Sequence, residues 1–119
     1  MRDPTRGGVG AVVQEMVSGS PAGAELREAD LPVRPAFRAL SGMLGIEPLF
    51  VACEGRLVLV AGPEGADAIL DAWRKLPGGE SACEIGELTN APGRVTLRGE
   101  WGGRRLLVVP DGEQLPRIC

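Results

Sequence analysis

The stretch Leu57-Val58-Leu59-Val60-Ala61-Gly62-Pro63-Glu64-Gly65-Ala66-Asp67-Ala68-Ile69-Leu70 changes its apolar rhythm halfway along. Residues 56–61 are a β-rich run, whereas from Pro63-Glu64 onward Ala66, Ile69, Leu70 and Trp73 fall on one helical stripe that Leu76-Pro77-Gly78-Gly79 brings to a stop. Just upstream, residues 49–52 are a second β-rich run, separated from the first by Cys53-Glu54-Gly55 at a spacing that suits a hairpin or a bulge. Pro48 is expected to hold the chain extended as it enters this run.

Toward the N-terminus, Val33, Phe37, Leu40 and Leu44 make a helical stripe introduced by Leu31-Pro32 and closed by Gly45, and residues 22–27 read as a short strand. Val9, Val12, Val13, Met16 and Val17 predict an earlier helix, with Asp3 or Thr5 as its N-cap and Gly19 with Pro21 ending it. Toward the C-terminus come strands over 83–88, 95–98 and 106–109, separated by Asn90-Ala91-Pro92-Gly93 and Gly102-Gly103, a pattern that predicts a meander. The order α-β-α-β-β-α-β-β-β places the chain in the α+β class, with helices packed on a mixed, largely antiparallel sheet.

At 119 residues the chain fits one domain with a real core. Two Phe, two Trp and no Tyr mean that aliphatic side chains must fill that core. A net charge of −3, with arginines scattered among acids and few aromatic platforms, argues against nucleic acid as a partner. Residues 57–61, the longest apolar run, are far too few to span a bilayer, and Met1-Arg2-Asp3-Pro4 does not open a signal peptide. Three cysteines at 53, 83 and 119 with no Cys-x-x-Cys and no histidine make zinc and a disulfide framework improbable, which points to free thiols in a reducing cytoplasm. Without histidine, a general base must be a carboxylate or a deprotonated Lys or Cys.

Three places carry potential chemistry. The chain ends Glu113-Gln114-Leu115-Pro116-Arg117-Ile118-Cys119, so a thiol sits at the tip of a strip that begins after Pro110 and reaches roughly 30 Å when extended. The divisions expected are a domain over 1–110 and a mobile tail over 111–119, with Pro110 and Pro116 stiffening the strip and Asp111-Gly112 near its root as a hinge. Such a strip suits a carrier arm; the other reading is a frayed terminus with an inert cysteine. Prenylation is excluded, since that signal needs cysteine fourth from the end. The α-carboxylate on Cys119 should raise the thiol above its usual ~8.5, and Arg117 can offset this.

Glu54 is the second place, a carboxylate on a bend between apolar runs that is either desolvated there or a plain solvated turn residue. Glu25, Glu28, Asp30, Glu64, Asp67 and Asp71 read as surface charges. The third is Arg6-Gly7-Gly8 at the start of the first helix, where N–H groups and a guanidinium could hold a phosphate, or where two glycines simply make a tight turn.

Taken together, Met1-Arg2-Asp3-Pro4-Thr5-Arg6-Gly7-Gly8-Val9, Phe50-Val51-Ala52-Cys53-Glu54-Gly55-Arg56-Leu57-Val58 and Gln114-Leu115-Pro116-Arg117-Ile118-Cys119 resemble the C-terminal half of the HypE family of hydrogenase maturation proteins. The likeness runs through essentially the whole chain. Pro-Arg-Ile-Cys is its most specific motif, and the opening segment also resembles the wider superfamily of aminoimidazole ribonucleotide (AIR) synthetase, or PurM-like, C-terminal domains. The resemblance implies that Cys119 accepts a carbamoyl group from the carbamoyltransferase HypF. ATP then dehydrates the thiocarbamate to a protein thiocyanate, whose cyanide passes to iron on the HypC–HypD scaffold complex. It implies a homodimeric full-length protein in which ATP and Mg are bound mainly by a nucleotide-binding half outside this chain, so the chain alone should not dehydrate. Glu54 matches the family's Asn-Glu-Gly glutamate and takes the role of proton acceptor or orienter, with Arg6, Gly7 and Gly8 lining the phosphate side. Cys53 stands where the family commonly has Asn. The competing readings are a docking module that presents its tail without chemistry of its own, and the C-terminal half of another ATP-dependent synthetase of the superfamily.

Overall fold

Gly23 decides how the sheet is threaded. In the computed structural model, which describes residues 1–111, the elements run α1 (Gly8–Val17), β1 (Gly23–Arg27), α2 (Pro35–Leu44), α3 (Pro63–Arg74), β2 (Gly86–Thr89), β3 (Val95–Arg98) and β4 (Arg104–Leu106). The class is α+β as expected, but the C-terminal strands do not form a meander. The sheet order is β2-β1-β3-β4, with β1 antiparallel to β2 and parallel to β3. The connection after β2 must therefore step across the start of β1. It can do so because Gly23 has no side chain: a Cβ there would fall on the Ala91 carbonyl oxygen and lie 2.5 Å from that of Arg94. The Ala24 N–H donates to Arg94 O (2.8 Å), the Gly93 N–H to Ala22 O (2.9 Å) and Gln14 Nε2 to Gly93 O (2.9 Å), which ties the crossing to both β1 and α1. Strand periodicity reports which side chains share a face, and it carries nothing about which strand lies alongside. Gly23→Ala should lower the unfolding free energy by about 1–3 kcal/mol through overpacking, read as a fall in denaturant midpoint at unchanged m-value.

The β3–β4 pair is a true hairpin. Its turn closes with Gly99 N–H on Gly103 O (2.7 Å), and pairing begins at once, Arg98 with Arg104, so β4 comes earlier than its apolar residues suggested. The 83–88 strand likewise starts only at Gly86, where β1 offers a partner.

The helices lie where their stripes predicted, with changed caps. Gly7, at φ 67°, caps α1 in place of Asp3 or Thr5, whose oxygens are taken up by each other: Thr5 Oγ1 donates to Asp3 Oδ1 at 2.6 Å. Pro35 at the first turn starts α2 later than Pro32 suggested, and Gly45 at φ 67° ends it as expected.

The two runs at 49–52 and 56–61 are not ladder strands. Glu47 is extended, as a residue before proline should be, but Pro48 then opens a 3₁₀ turn, Pro48–Phe50, since its fixed φ suits a turn equally well. Val58 makes only an isolated antiparallel bridge with Arg2, each N–H donating to the other's carbonyl at 2.8 Å. This turn drives Leu49 and Phe50 into the core, where they join Val12, Val13 and Val17 of α1, Ala24 and Leu26 of β1, Val95 and Leu97 of β3, and Leu107. The core is aliphatic as composition required, and it lies between α1 and one face of the sheet. Ala66, Ile69, Leu70 and Trp73 of α3 are only half-buried.

Candidate functional site

Pro4 is the pivot of the site. It is fully buried, and its carbonyl accepts the Cys53 N–H at 3.0 Å, so the opening segment is pinned to the loop that carries Glu54. Gly8, at φ 70°, seals the same seam: a Cβ there would fall on the Leu49 carbonyl oxygen and lie 2.6 Å from that of Val51. Gly10 meets the edge of the Phe50 ring in the same way. Beyond Cys53 the chain bends at Glu54-Gly55, with Gly55 at φ 69°, and is caught again where Val58 bridges Arg2. Glu54 thus projects from a short bend whose two ends are hydrogen-bonded to residues 2 and 4.

Two of the three motif stretches therefore meet, but Glu54 is not desolvated. Its side chain is exposed and makes no hydrogen bond or ion pair with the described residues, so the apolar runs beside it bury Leu49, Phe50 and Val58 while the bend itself stands in water. The Cys53 thiol turns away from it and donates to Val51 O at 3.3 Å. Arg6 is exposed in the turn before α1, whose first turn holds no acid, and the N-terminal dipole there favours an anion. The two glycines, however, have structural reasons of their own: Gly7 takes a left-handed cap and Gly8 a close approach to backbone. As a phosphate lining, the segment offers a helix N-terminus and one guanidinium. Among the described residues, no group of three or more Asp, Glu, Cys or His is placed to hold a metal. Cys119 lies outside the described residues.

Cys53 and Cys83 are free thiols. Burial pushes the Cys83 thiol up, with Asp30 adding to the effect, which keeps it protonated and a poor nucleophile at neutral pH. Glu25, expected at the surface, is buried. It sits on the interior strand β1, where Arg104 Nε approaches at 2.7 Å and Arg98 at 3.8 Å and together they neutralise it. No sequence signal flagged Pro4 as the buried hinge, nor a cavity of about 570 Å³ between α2 and the β3–β4 turn.

This sheet, with α1 packed across it and the opening segment folded back on the Glu54 loop, is matched over residues 1–98 by the family described as AIR synthase related protein, C-terminal domain, and the chain belongs to that family. Within it the likeness is more particular. The chain is 46% identical to carbamoyl dehydratase HypE of Cupriavidus necator, aligned over all of this chain and 34% of the relative. The corresponding figures for carbamoyl dehydratase HypE of Escherichia coli K12 are 44%, all of this chain and 35%. The chain thus spans about a third of the length of the curated relatives it matches. The crystal structure of E. coli HypE, a hydrogenase maturation protein, superposes with a TM-score of 0.92 at 42% identity, covering 99% of this chain and 36% of that one. A HypE in complex with ATP (TM-score 0.86, 35% identity, 95% and 36% covered) and a HypE–HypF complex (0.86, 33%, 92% and 35%) share the same fold. Among the described residues, no helix is long and apolar enough to cross a membrane.

Proposed function

We propose that this chain is the carrier part of an ATP-dependent carbamoyl dehydratase of hydrogenase maturation. What carries this reading is the likeness of the whole chain to about a third of the HypE proteins, together with the meeting of the opening segment and the Glu54 loop. The Cys119 thiolate attacks a carbamoyl donor to form a thiocarbamate, –S–C(=O)NH₂, with the donor's leaving group expelled. The carbamoyl oxygen attacks the γ-phosphorus of ATP and ADP departs. Two protons then leave nitrogen and phosphate leaves carbon, giving the thiocyanate –S–C≡N. The net change is loss of one water, taken up in ATP hydrolysis.

Glu54 serves as acceptor or orienter of a nitrogen proton. Its exposure leaves the carboxylate open to an incoming tail, and water would be excluded only once substrate and tail close over it. Arg6, Gly7 and Gly8 would line the phosphate side. ATP and Mg are held mainly by residues outside this chain, consistent with the single guanidinium and helix end it offers. The carbamoyl donor protein is a HypF-like carbamoyltransferase, the acceptor an iron-bearing HypC–HypD-like scaffold, and the working form a cytoplasmic homodimer. In this division of labour residues 1–110 are the domain and 111–119 the moving arm.

The expected behaviour of the chain alone separates carrier from catalyst. Incubated with a HypF carbamoyltransferase, carbamoyl phosphate and ATP, it should gain a carbamoyl mass and keep it. Water should be lost only when the nucleotide-binding part is supplied. Mass spectrometry of the intact chain reads both steps, and a chain that never takes up carbamoyl even in the complete system would refute the proposal.

A further inference from the structure

We propose that Gly8 is a positioning residue for Glu54, one that holds the proton acceptor at a fixed place relative to the start of α1. This deepens the dehydratase reading and rests on it. Two separate demands fall on Gly8. Its φ of 70° lies in the left-handed region, where a side chain is strained. The space where a Cβ would stand is also taken by main chain: the carbonyl oxygens of Leu49 and Val51, the latter at 2.6 Å, and the Phe50 carbonyl carbon at 2.9 Å. A positive φ alone is met by a glycine in open space, as at Gly19, Gly45 and Gly55, where nothing lies within 4 Å. Gly8 is instead buried, and what lies on it is the segment that runs directly into Glu54.

Few bonds separate that contact from Glu54. Val51 O, one of the atoms over Gly8, also accepts the Cys53 thiol at 3.3 Å, and the Cys53 N–H is held by the carbonyl of buried Pro4 at 3.0 Å. Residue 53 is thus tied to both sides of the seam, and Glu54 is the next residue. Phe50 grips the segment from its other side, because its ring is buried against Gly10, where a Cβ would come within 2.8 Å of Cε1. The Glu54 carboxylate has no partner among the described residues, so the main chain alone decides where it stands. The chemistry makes that placement matter. Dehydration takes phosphate from the carbamoyl carbon and protons from the nitrogen on that same carbon, so the groups that serve the two ends must keep their spacing. Arg6 and the start of α1 stand on the phosphate side and Glu54 on the nitrogen side, and the Gly8 contact joins them. A methyl at position 8 would push residues 49–51 off α1 and carry the Glu54 bend with them.

The test uses the full-length protein and follows a single turnover of pre-formed thiocarbamate at a series of ATP concentrations. Gly8→Ala should load carbamoyl at the usual rate. At saturating ATP it should dehydrate about 10²-fold more slowly, the order of effect of a displacement of about 1 Å, with the half-saturating ATP concentration little changed. In a Glu54→Gln background it should slow dehydration no further, since a residue that acts through Glu54 has nothing left to act on. Two results would overturn the positioning role: a higher half-saturating ATP concentration with the saturated rate intact, which belongs to a mere phosphate lining, or an equal loss in both backgrounds. Normal dehydration by Glu54→Gln would remove Glu54 as acceptor and this role with it, whereas slow Glu54→Gln beside normal Gly8→Ala would overturn the positioning role alone. If Gly8→Ala does not fold, Phe50→Leu loosens the same seam without a clash and should give the same slow, non-additive dehydration; a normal rate would overturn the role. The chain alone supplies a reading that needs no turnover. In amide spectra the variant should shift the Glu54 and Gly55 resonances and leave Gly99 and Gly103 of the β3–β4 turn in place, and unmoved Glu54 and Gly55 amides would overturn the positioning role.

Discussion

Replacing Cys119 by alanine is expected to abolish carbamoyl uptake, with no adduct above background in the complete system, and to leave thermal stability nearly unchanged. The loss should be total because the described thiols cannot substitute. Cys83 is half-buried with its pKa pushed up, and the Cys53 sulfur is turned onto Val51 O within its own loop. Stability should hold because the buried core closes at Leu107 and position 119 lies well beyond it. A melting temperature lowered by more than a few degrees would show the last residues to be structural. Uptake that persists in the variant would move the carrier role to another nucleophile.

The second large effect belongs to Glu54→Gln, measured with the nucleotide-binding part present. The amide keeps shape and hydrogen-bonding capacity but cannot accept a proton as a base. General-base assistance is worth about 10²–10⁴-fold, so dehydration should slow by that order while carbamoyl loading proceeds at its usual rate. The thiocarbamate mass would then persist over times in which the unaltered protein has lost water. Because Glu54 is exposed and makes no described contact, the substitution should not disturb the fold, and slow dehydration could not be assigned to instability. Dehydration at the normal rate would return Glu54 to a solvated turn residue and place the base outside this chain.

How far the sequence carried these conclusions differs from element to element. The helices were legible because the stripes of α1, α2 and α3 are local, and Gly45 marked an end by a conformation that glycine takes readily. The strand pairing was not legible. Nothing in the alternation at 95–98 says that its parallel partner is the strand at Gly23–Arg27, and the clue, a glycine under a crossing loop, has meaning only once the crossing is known. Pro48 misled because the same fixed φ serves an extended chain and a 3₁₀ turn. The burial of Glu25 was invisible for a similar reason: its partners Arg98 and Arg104 are remote in sequence and arrive only through the sheet. At the candidate site, the sequence singled out Glu54 and Gly8 as residues of interest. The meeting of the two stretches that carry them, by contrast, depends on Pro4 O and Cys53 N, backbone atoms that no side-chain pattern announces.

The account rests above all on which sulfur carries the cargo. The most direct measurement is tandem mass spectrometry of the proteolysed full-length protein after reaction with a HypF carbamoyltransferase, carbamoyl phosphate and ATP. The account predicts that the peptide ending in Pro116-Arg117-Ile118-Cys119 first carries one carbamoyl group and then, at the same sulfur, one water less. An adduct on a peptide containing Cys53 or Cys83, or an unmodified C-terminal peptide under conditions that support turnover, would contradict it.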